Sequence, residues 1–66
     1  MQSWYEQHNG RRALLTPAQI RQPDGAVQRG YQVALDDGAR LFIAAERHDE
    51  KTRITAATRV RSLLER

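Results

Sequence analysis

A row of cations and hydroxyls follows one helical spacing near the C-terminus of the 66-residue chain. Lys51, Thr55, Arg59, Ser62 and Arg66 are separated by four, four, three and four residues, which stacks them along one side of a helix. Because the row contains no carboxylate, it offers positive charge and hydroxyl groups to phosphate oxygens at about one group per turn. We expect this row to contact a nucleic-acid backbone, although a solvated helix face has the same pattern.

A second cationic set lies in segments that alternate like strands. Its arginines are Arg11, Arg12, Arg29, Arg40 and Arg47, and Phe42 and Tyr5 are the aromatic residues that could lie among them. Arg40 and Phe42 share a predicted strand face with Gln32, and an aromatic ring between arginine and glutamine can stack on a base. The alternative for Phe42 is structural: it packs against the N-terminal segment, for instance under Trp4.

Candidate catalytic and metal-binding groups are sparse. His8 and His48 are the two histidines, and no further ligand stands near either at a metal-like spacing. Asp49 and Glu50 follow His48 directly, but acids at the start of a helix explain them more simply. The sequence has neither a nucleophile elbow nor a phosphate-binding glycine loop. We therefore expect no enzyme activity, no metal and no cofactor.

Composition narrows the class of protein further. The net charge is +3 and the isoelectric point about 10.2, and ten of the eleven cations are arginines, which suit bidentate phosphate contacts but also reflect GC-rich coding. The absence of cysteine favours a cytoplasmic location. No signal peptide is expected, and no apolar run approaches the roughly 20 residues of a membrane span, so no membrane partner is predicted. A chain this small buries little surface, which a homodimer or a partner would supplement.

The segment from Val27 to Glu46 predicts a β-hairpin with strands at about 27–35 and 39–46. A two-residue loop would scatter the apolar residues over both faces, whereas a three-residue loop, Asp36 to Gly38, gathers them on one. That register gives the pairs Leu35–Ala39, Val33–Leu41 and Tyr31–Ile43.

Residues 3–8 and 11–16 form a second predicted hairpin around Asn9-Gly10, a strong type I′ turn signal. Trp4 would then face Leu15, and Tyr5 would face Leu14. A short helix is the alternative, because Ser3 and Glu6 have the spacing of a capping box and Gly10 could end it.

The segment after Thr16 is open to two interpretations. Thr16 could cap a helix whose first residue is Pro17. If the segment is a strand, Pro17 restricts it to a sheet edge or a bulge.

The clearest helix is predicted from about 49 to 65. Its apolar stripe comprises Ile54, Ala56, Ala57, Val60, Leu63 and Leu64, and should cover the apolar face of the hairpin. Arg53 projects into the same arc and can extend its stem along apolar surface. The predicted fold is α+β: a small antiparallel sheet of two hairpins, with three or four strands, packed on one C-terminal helix in a single domain, 1–66.

Two functions follow from these features. A short antiparallel sheet followed by a helix is similar in architecture to double-stranded RNA-binding domains and to the arm-binding domains of phage integrases. The RNA-binding pattern has a lysine pair at the start of the helix, where only Lys51 is present in this sequence.

The favoured function is a small, basic, non-enzymatic DNA- or RNA-binding module. The alternative is a protein adaptor, regulator or inhibitor of the phage or plasmid type, acting through a sheet edge with Trp4, Tyr5 and Tyr31 as anchors.

Overall fold

Four strands and one helix account for most of the chain in the computed structural model, which describes residues 2–65. The strands are β1 (Trp4–His8), β2 (Arg11–Arg21), β3 (Val27–Leu35) and β4 (Arg40–Ala44), and the helix is α1 (Glu50–Leu64). The strands form an antiparallel sheet in the order β1-β2-β3-β4. The predicted α+β class, a small sheet packed on a C-terminal helix, is confirmed. Strand β4 ends two residues before the predicted boundary at 46.

The first hairpin turns at Asn9 and Gly10, as the sequence predicted. Both residues have positive φ, 58° and 74°, as a type I′ turn requires at its two central positions. Trp4 pairs with Leu15, and the neighbouring pairs follow in the predicted register. The alternative of a short helix in this segment is therefore wrong.

The loop between β3 and β4 has the predicted three residues. The amide of Leu35 donates to the carbonyl of Ala39 at 2.8 Å, and the amide of Gly38 donates back to the carbonyl of Leu35 at 3.0 Å. Gly38 has a φ of 92°, a conformation that glycine adopts without a Cβ clash. The register therefore pairs Tyr31 with Ile43 and Val33 with Leu41.

Strand β2 is longer than the predicted 11–16 and runs to Arg21. Strand β1 begins opposite Leu15, so Pro17 lies where β2 has lost its β1 neighbour, while it still pairs with Tyr31 of β3. An edge position tolerates a residue without an N–H. The helical interpretation of this segment is wrong because β3 supplies a partner for every residue from Ala13 to Arg21.

The core lies between the sheet and α1. Its buried side chains are Ala13, Leu15, Tyr31, Val33, Ile43, Ala56, Val60 and Leu64. The helix contributes Ala56, Val60 and Leu64, which are spaced by four residues along one narrow row. Ile54 was predicted on this stripe but is 60% exposed. At 100° per residue it lies about 120° from the centre of the row, beyond the reach of a four-stranded sheet.

The start of α1 is fixed to the sheet by hydrogen bonds. The backbone amide of Thr52 donates to the Asp49 carboxylate at 3.0 Å and lowers the pKa of Asp49, while the Asp49 amide donates to the Thr52 hydroxyl at 3.1 Å. This reciprocal pair caps the helix. Thr52 also bonds the buried hydroxyl of Tyr31 at 3.0 Å, and His48 donates from Nε2 to the carbonyl of Gly30 at 2.7 Å. The direction of α1 is therefore set at its first turn.

Candidate nucleic-acid interface

The cationic row of the sequence lies on the solvent side of α1. Lys51, Thr55, Arg59 and Ser62 are all exposed, whereas Arg66 lies outside the described residues. The hydroxyl of Thr55 donates to the carbonyl of Lys51 at 3.1 Å, so its proton is already engaged and Thr55 is a weaker phosphate donor than the sequence suggested. The charge of the described row comes from Lys51 and Arg59.

Arg59 faces the flank of α1 that lies next to β4. Together with Thr55 it lines a groove of about 160 Å³ whose other wall includes Ala44 and Ala45 at the end of β4. Within residues 2–65, neither Lys51 nor Arg59 forms an ion pair. The flank of the helix beside β4, which we call the β4 flank, therefore carries the unpaired charge of Arg59, and the solvent side of the helix carries that of Lys51.

The opposite flank of α1, beside β1, is electrostatically different. Arg61 donates from Nε to the Glu6 carboxylate at 3.0 Å, and the same carboxylate accepts a hydrogen bond from the indole of Trp4 at 2.8 Å. At the end of the helix, Glu65 contacts Nε2 of His8 at 3.2 Å. Arg53 also lies on this flank, over the ring of Trp4. The carboxylates of Glu6, Glu50 and Glu65 lie near these two arginines, so the two flanks differ in net charge.

A further ion pair fixes the loop end of the sheet. Arg11 donates to the Asp36 carboxylate at 3.0 Å, and the backbone amide of Arg12 donates to the same carboxylate at 3.2 Å. The hydrogen bond from Arg11 is the larger cause of the lowered pKa of Asp36, and the amide of Arg12 adds to it. Arg11 therefore has a structural partner, whereas Arg40 on β4 forms no ion pair within residues 2–65.

The face of the sheet turned away from α1, here called the open face, carries the predicted sheet residues. In the register of the ladders, one row across the four strands is Tyr5, Leu14, Ala34 and Arg40, and the next is Thr16, Gln32 and Phe42. Within the four strands, all of which are described, Glu6 is the one carboxylate, and it lies on the helix side. The strand residues of the open face therefore include arginines and no acid, and the loop residue Asp36 borders this face beside Tyr5 and Arg12.

Phe42 lies on the open face but does not pack under Trp4, so that expectation is wrong. Trp4 is on the helix side, where its ring meets Tyr31 edge-on with a centroid distance of 5.4 Å. Phe42 instead covers Gly30, where a Cβ would lie 2.7 Å from the tip of the Phe42 ring. The glycine thus allows the ring to lie against the backbone of β3 while the side chain stays partly exposed.

Tyr5 and Arg12 form the second aromatic site of the open face. The guanidinium carbon of Arg12 lies 4.8 Å from the centroid of the Tyr5 ring, a cation–π distance, and Tyr5 is 58% exposed. Both residues belong to the cationic and aromatic set predicted from the sequence, but no contact between them was predicted. Strict alternation along β1 and β2, applied to the Asn9-Gly10 hairpin, would have put them on one face.

The aromatic residues proposed as protein anchors are not equally accessible. Tyr31 is fully buried and is not available to a partner. Trp4 is half-buried and is covered by the guanidinium of Arg53, whose central carbon lies 4.5 Å from the ring centroid. Of the three candidates, Tyr5 is the exposed one.

Comparisons with protein-family models, with curated proteins and with solved structures gave no match. Across residues 2–65, no group of three or more histidine, aspartate or glutamate side chains is arranged to hold a metal ion. The one helix in that range is too short and too polar to cross a membrane. The chemistry of the surface itself is therefore the basis for a functional proposal.

Proposed function

We propose that this protein is a small, non-enzymatic nucleic-acid-binding module of the cytoplasm. Lys51 on the solvent side of α1 and Arg59 on its β4 flank contact backbone phosphates, and Arg40 does so from the sheet. Ser62 adds a hydroxyl at the far end of the row. The binding is mainly electrostatic, because cations that neutralise phosphates release condensed counterions.

The segregation of charge supports this proposal. On the β1 flank Arg61 is paired with Glu6 and Arg53 lies over the ring of Trp4. At the loop end of the sheet Arg11 is paired with Asp36. The β4 flank and the open face hold their cations without such partners in the described part of the chain. If the arginines served only solubility or stability, acids would be expected among them on both sides. A surface whose cations are not paired with carboxylates suits a polyanion.

Two arginines of α1 provide a matched test. Arg59 and Arg61 are two residues apart on one helix, both are exposed, and they point to opposite flanks. We would compare Arg59→Gln with Arg61→Gln by fluorescence anisotropy, using labelled 20-nucleotide single-stranded and duplex DNA and RNA over a salt series. Both changes remove one charge, so a difference between them reports position rather than net charge.

Arg59→Gln should weaken binding and reduce the slope of log K against log salt by about 0.9 for duplex DNA, or about 0.7 for a single strand. Arg61→Gln should leave the slope unchanged. Equal effects of the two substitutions would contradict the assignment of the surface. Failure of every probe to bind at low salt, or an affinity that does not vary with salt, would remove the proposed function altogether.

The edge of the sheet supports the second candidate, a protein adaptor or regulator. Among the described strands, β4 pairs only with β3. The amide of Ala45 donates to the carbonyl of Arg29, and since alternate residues of an antiparallel ladder face the neighbouring strand, Arg40, Phe42 and Ala44 direct their backbone groups outward. A partner strand could add there. A stoichiometric protein that co-purifies through nuclease treatment and high salt would favour this function over the first.

A further inference from the structure

We propose that the open face of the sheet is a platform for unpaired bases, so that the nucleic acid bound is single-stranded. This inference rests on the proposed function and specifies its substrate class. The platform consists of two aromatic sites, Tyr5 with Arg12 and Phe42 over Gly30, joined by the grooves between them.

The two aromatic sites lie at opposite edges of one surface. Tyr5 is on β1 and Phe42 on β4, three strand spacings apart and one row apart along the strands, so their backbones are separated by about 16 Å. The surface between them contains a groove of about 250 Å³ lined by Leu14, Gln32, Arg40 and two neighbours. A single strand that crosses the sheet would stack one base at each edge and lay its intervening nucleotides over this groove.

The chemistry of each site matches an exposed base. The Arg12 guanidinium lies against one aromatic ring, so Tyr5 and Arg12 together offer flat groups on which a base can stack. Gln32 has an amide that can donate to or accept from the edge of a base. Arg40, at the end of the row that begins with Tyr5, can neutralise a phosphate as the strand leaves the face.

The shape of the face excludes a duplex from the same contacts. Four strands span about 14 Å between the outer backbones, whereas the major groove of B-DNA is about 12 Å wide and admits a helix or a two-stranded ribbon. In a duplex the faces of the bases are also covered by their neighbours. Aromatic rings on a broad sheet can therefore be used fully only by bases that have left the helix.

The test uses conservative pairs of substitutions at each aromatic site. Tyr5→Phe and Phe42→Tyr keep an aromatic ring, while Tyr5→Leu and Phe42→Leu keep the apolar volume and remove the ring. Ile54→Leu, at an exposed apolar site on the helix layer, is the control. The probes are a 10-nucleotide single-stranded DNA, the matching RNA and the matching duplex, and circular dichroism and molecular mass are measured for every variant.

The parent should bind the single strands more tightly than the duplex of equal length. Each leucine variant should lose about tenfold in single-strand affinity, while the aromatic variants and Ile54→Leu stay within about twofold of the parent. Comparing the affinities for the DNA and RNA probes shows which of the two kinds of single strand the platform prefers.

Three results would overturn the platform. The first is parent-like single-strand binding by both leucine variants, and the second is equal affinity for duplex and single strand. The third is a dimeric parent that the leucine variants convert to monomer, because the open face would then bind a second copy of the chain. In each case salt-dependent binding through Arg59 would survive, whereas the failure of all probes would remove the proposed function itself.

Discussion

Replacing Gly30 with alanine tests the packing on which the Phe42 site depends. A Cβ at position 30 would meet two atoms of the Phe42 ring, at 2.7 and 2.9 Å, and the carbonyl oxygen of Ile43. To reach ordinary contact at 3.4 Å, the ring would have to withdraw by about half an ångström or more. The carbonyl cannot withdraw so easily, because it belongs to the ladder between β3 and β4. Gly30→Ala should therefore destabilise the fold and displace Phe42.

The size of the effect follows from two opposing contributions. Forcing extra volume into a packed site costs about 1–3 kcal/mol. The cost of Gly30→Ala should lie near the upper end of this range, because one of the clashes is with the backbone carbonyl of Ile43. Replacing a glycine inside a strand recovers at most about 1 kcal/mol of backbone entropy. We expect a net loss of about 2 kcal/mol, which for a chain of 66 residues lowers the melting temperature by about 8–16 °C.

Urea unfolding followed by the fluorescence of Trp4, the single tryptophan, measures this loss. A double-mutant cycle with Phe42→Ala separates its two causes, since removal of the ring abolishes one clash and leaves the other with Ile43. Gly30→Ala should cost less in the Phe42→Ala background, by at least about 0.5 kcal/mol. A Gly30→Ala protein that is as stable as the parent, or more stable, would refute the packing described at this site.

Two further perturbations test the ion pair of Asp36 with Arg11 and the packing of α1 on the sheet. The pKa of Asp36 is lowered in the fold from an ordinary value of 3.8, chiefly by the hydrogen bond from Arg11, so its stabilisation is present above that pH and is lost as the pH falls through the folded pKa. Between about pH 5 and about pH 2 the parent should lose more melting temperature than Asp36→Asn, and parallel curves would contradict this. Val60→Ala should lower the free energy of unfolding by about 2 kcal/mol, because Val60 is fully buried. Ile54→Ala should change it by no more than about 0.5 kcal/mol, because Ile54 is exposed. Equal losses for the two substitutions in urea unfolding would contradict the described packing of α1 on the sheet.

The hairpins could be predicted because their information is local. Asn9-Gly10 requires two positive φ values that these residues tolerate, and Gly38 requires one, so each turn fixed the register of the strands beside it. Once the register was fixed, strict alternation assigned the faces of Val33 and Leu41. The extent of β2 was not local. The strand continues past Pro17 because β3 runs alongside it and pairs with every residue as far as Arg21, and this partner is not visible in the local pattern around Pro17.

The helix could be predicted in place but not in detail. Its capping acid, Asp49, and its apolar spacing fixed where it begins and ends within a residue or two. Which part of the apolar arc is buried depends on how far the sheet extends under it, and Ile54 falls outside that area. The pairing of Arg61 with Glu6 joins residues 55 positions apart, so no helical spacing could have distinguished Arg61 from Arg59.

By itself, the sequence determined the turns, the strand faces, the C-terminal helix and a surplus of arginine, because each depends on residues within a few positions of one another. Only the tertiary structure decided which arginines are neutralised, which aromatic rings are buried and which remain on the open face. Those outcomes depend on contacts between β1 and α1 and between β3 and β4. Such contacts form between residues far apart in the chain, and neither composition nor local spacing specifies which distant residues will be in contact.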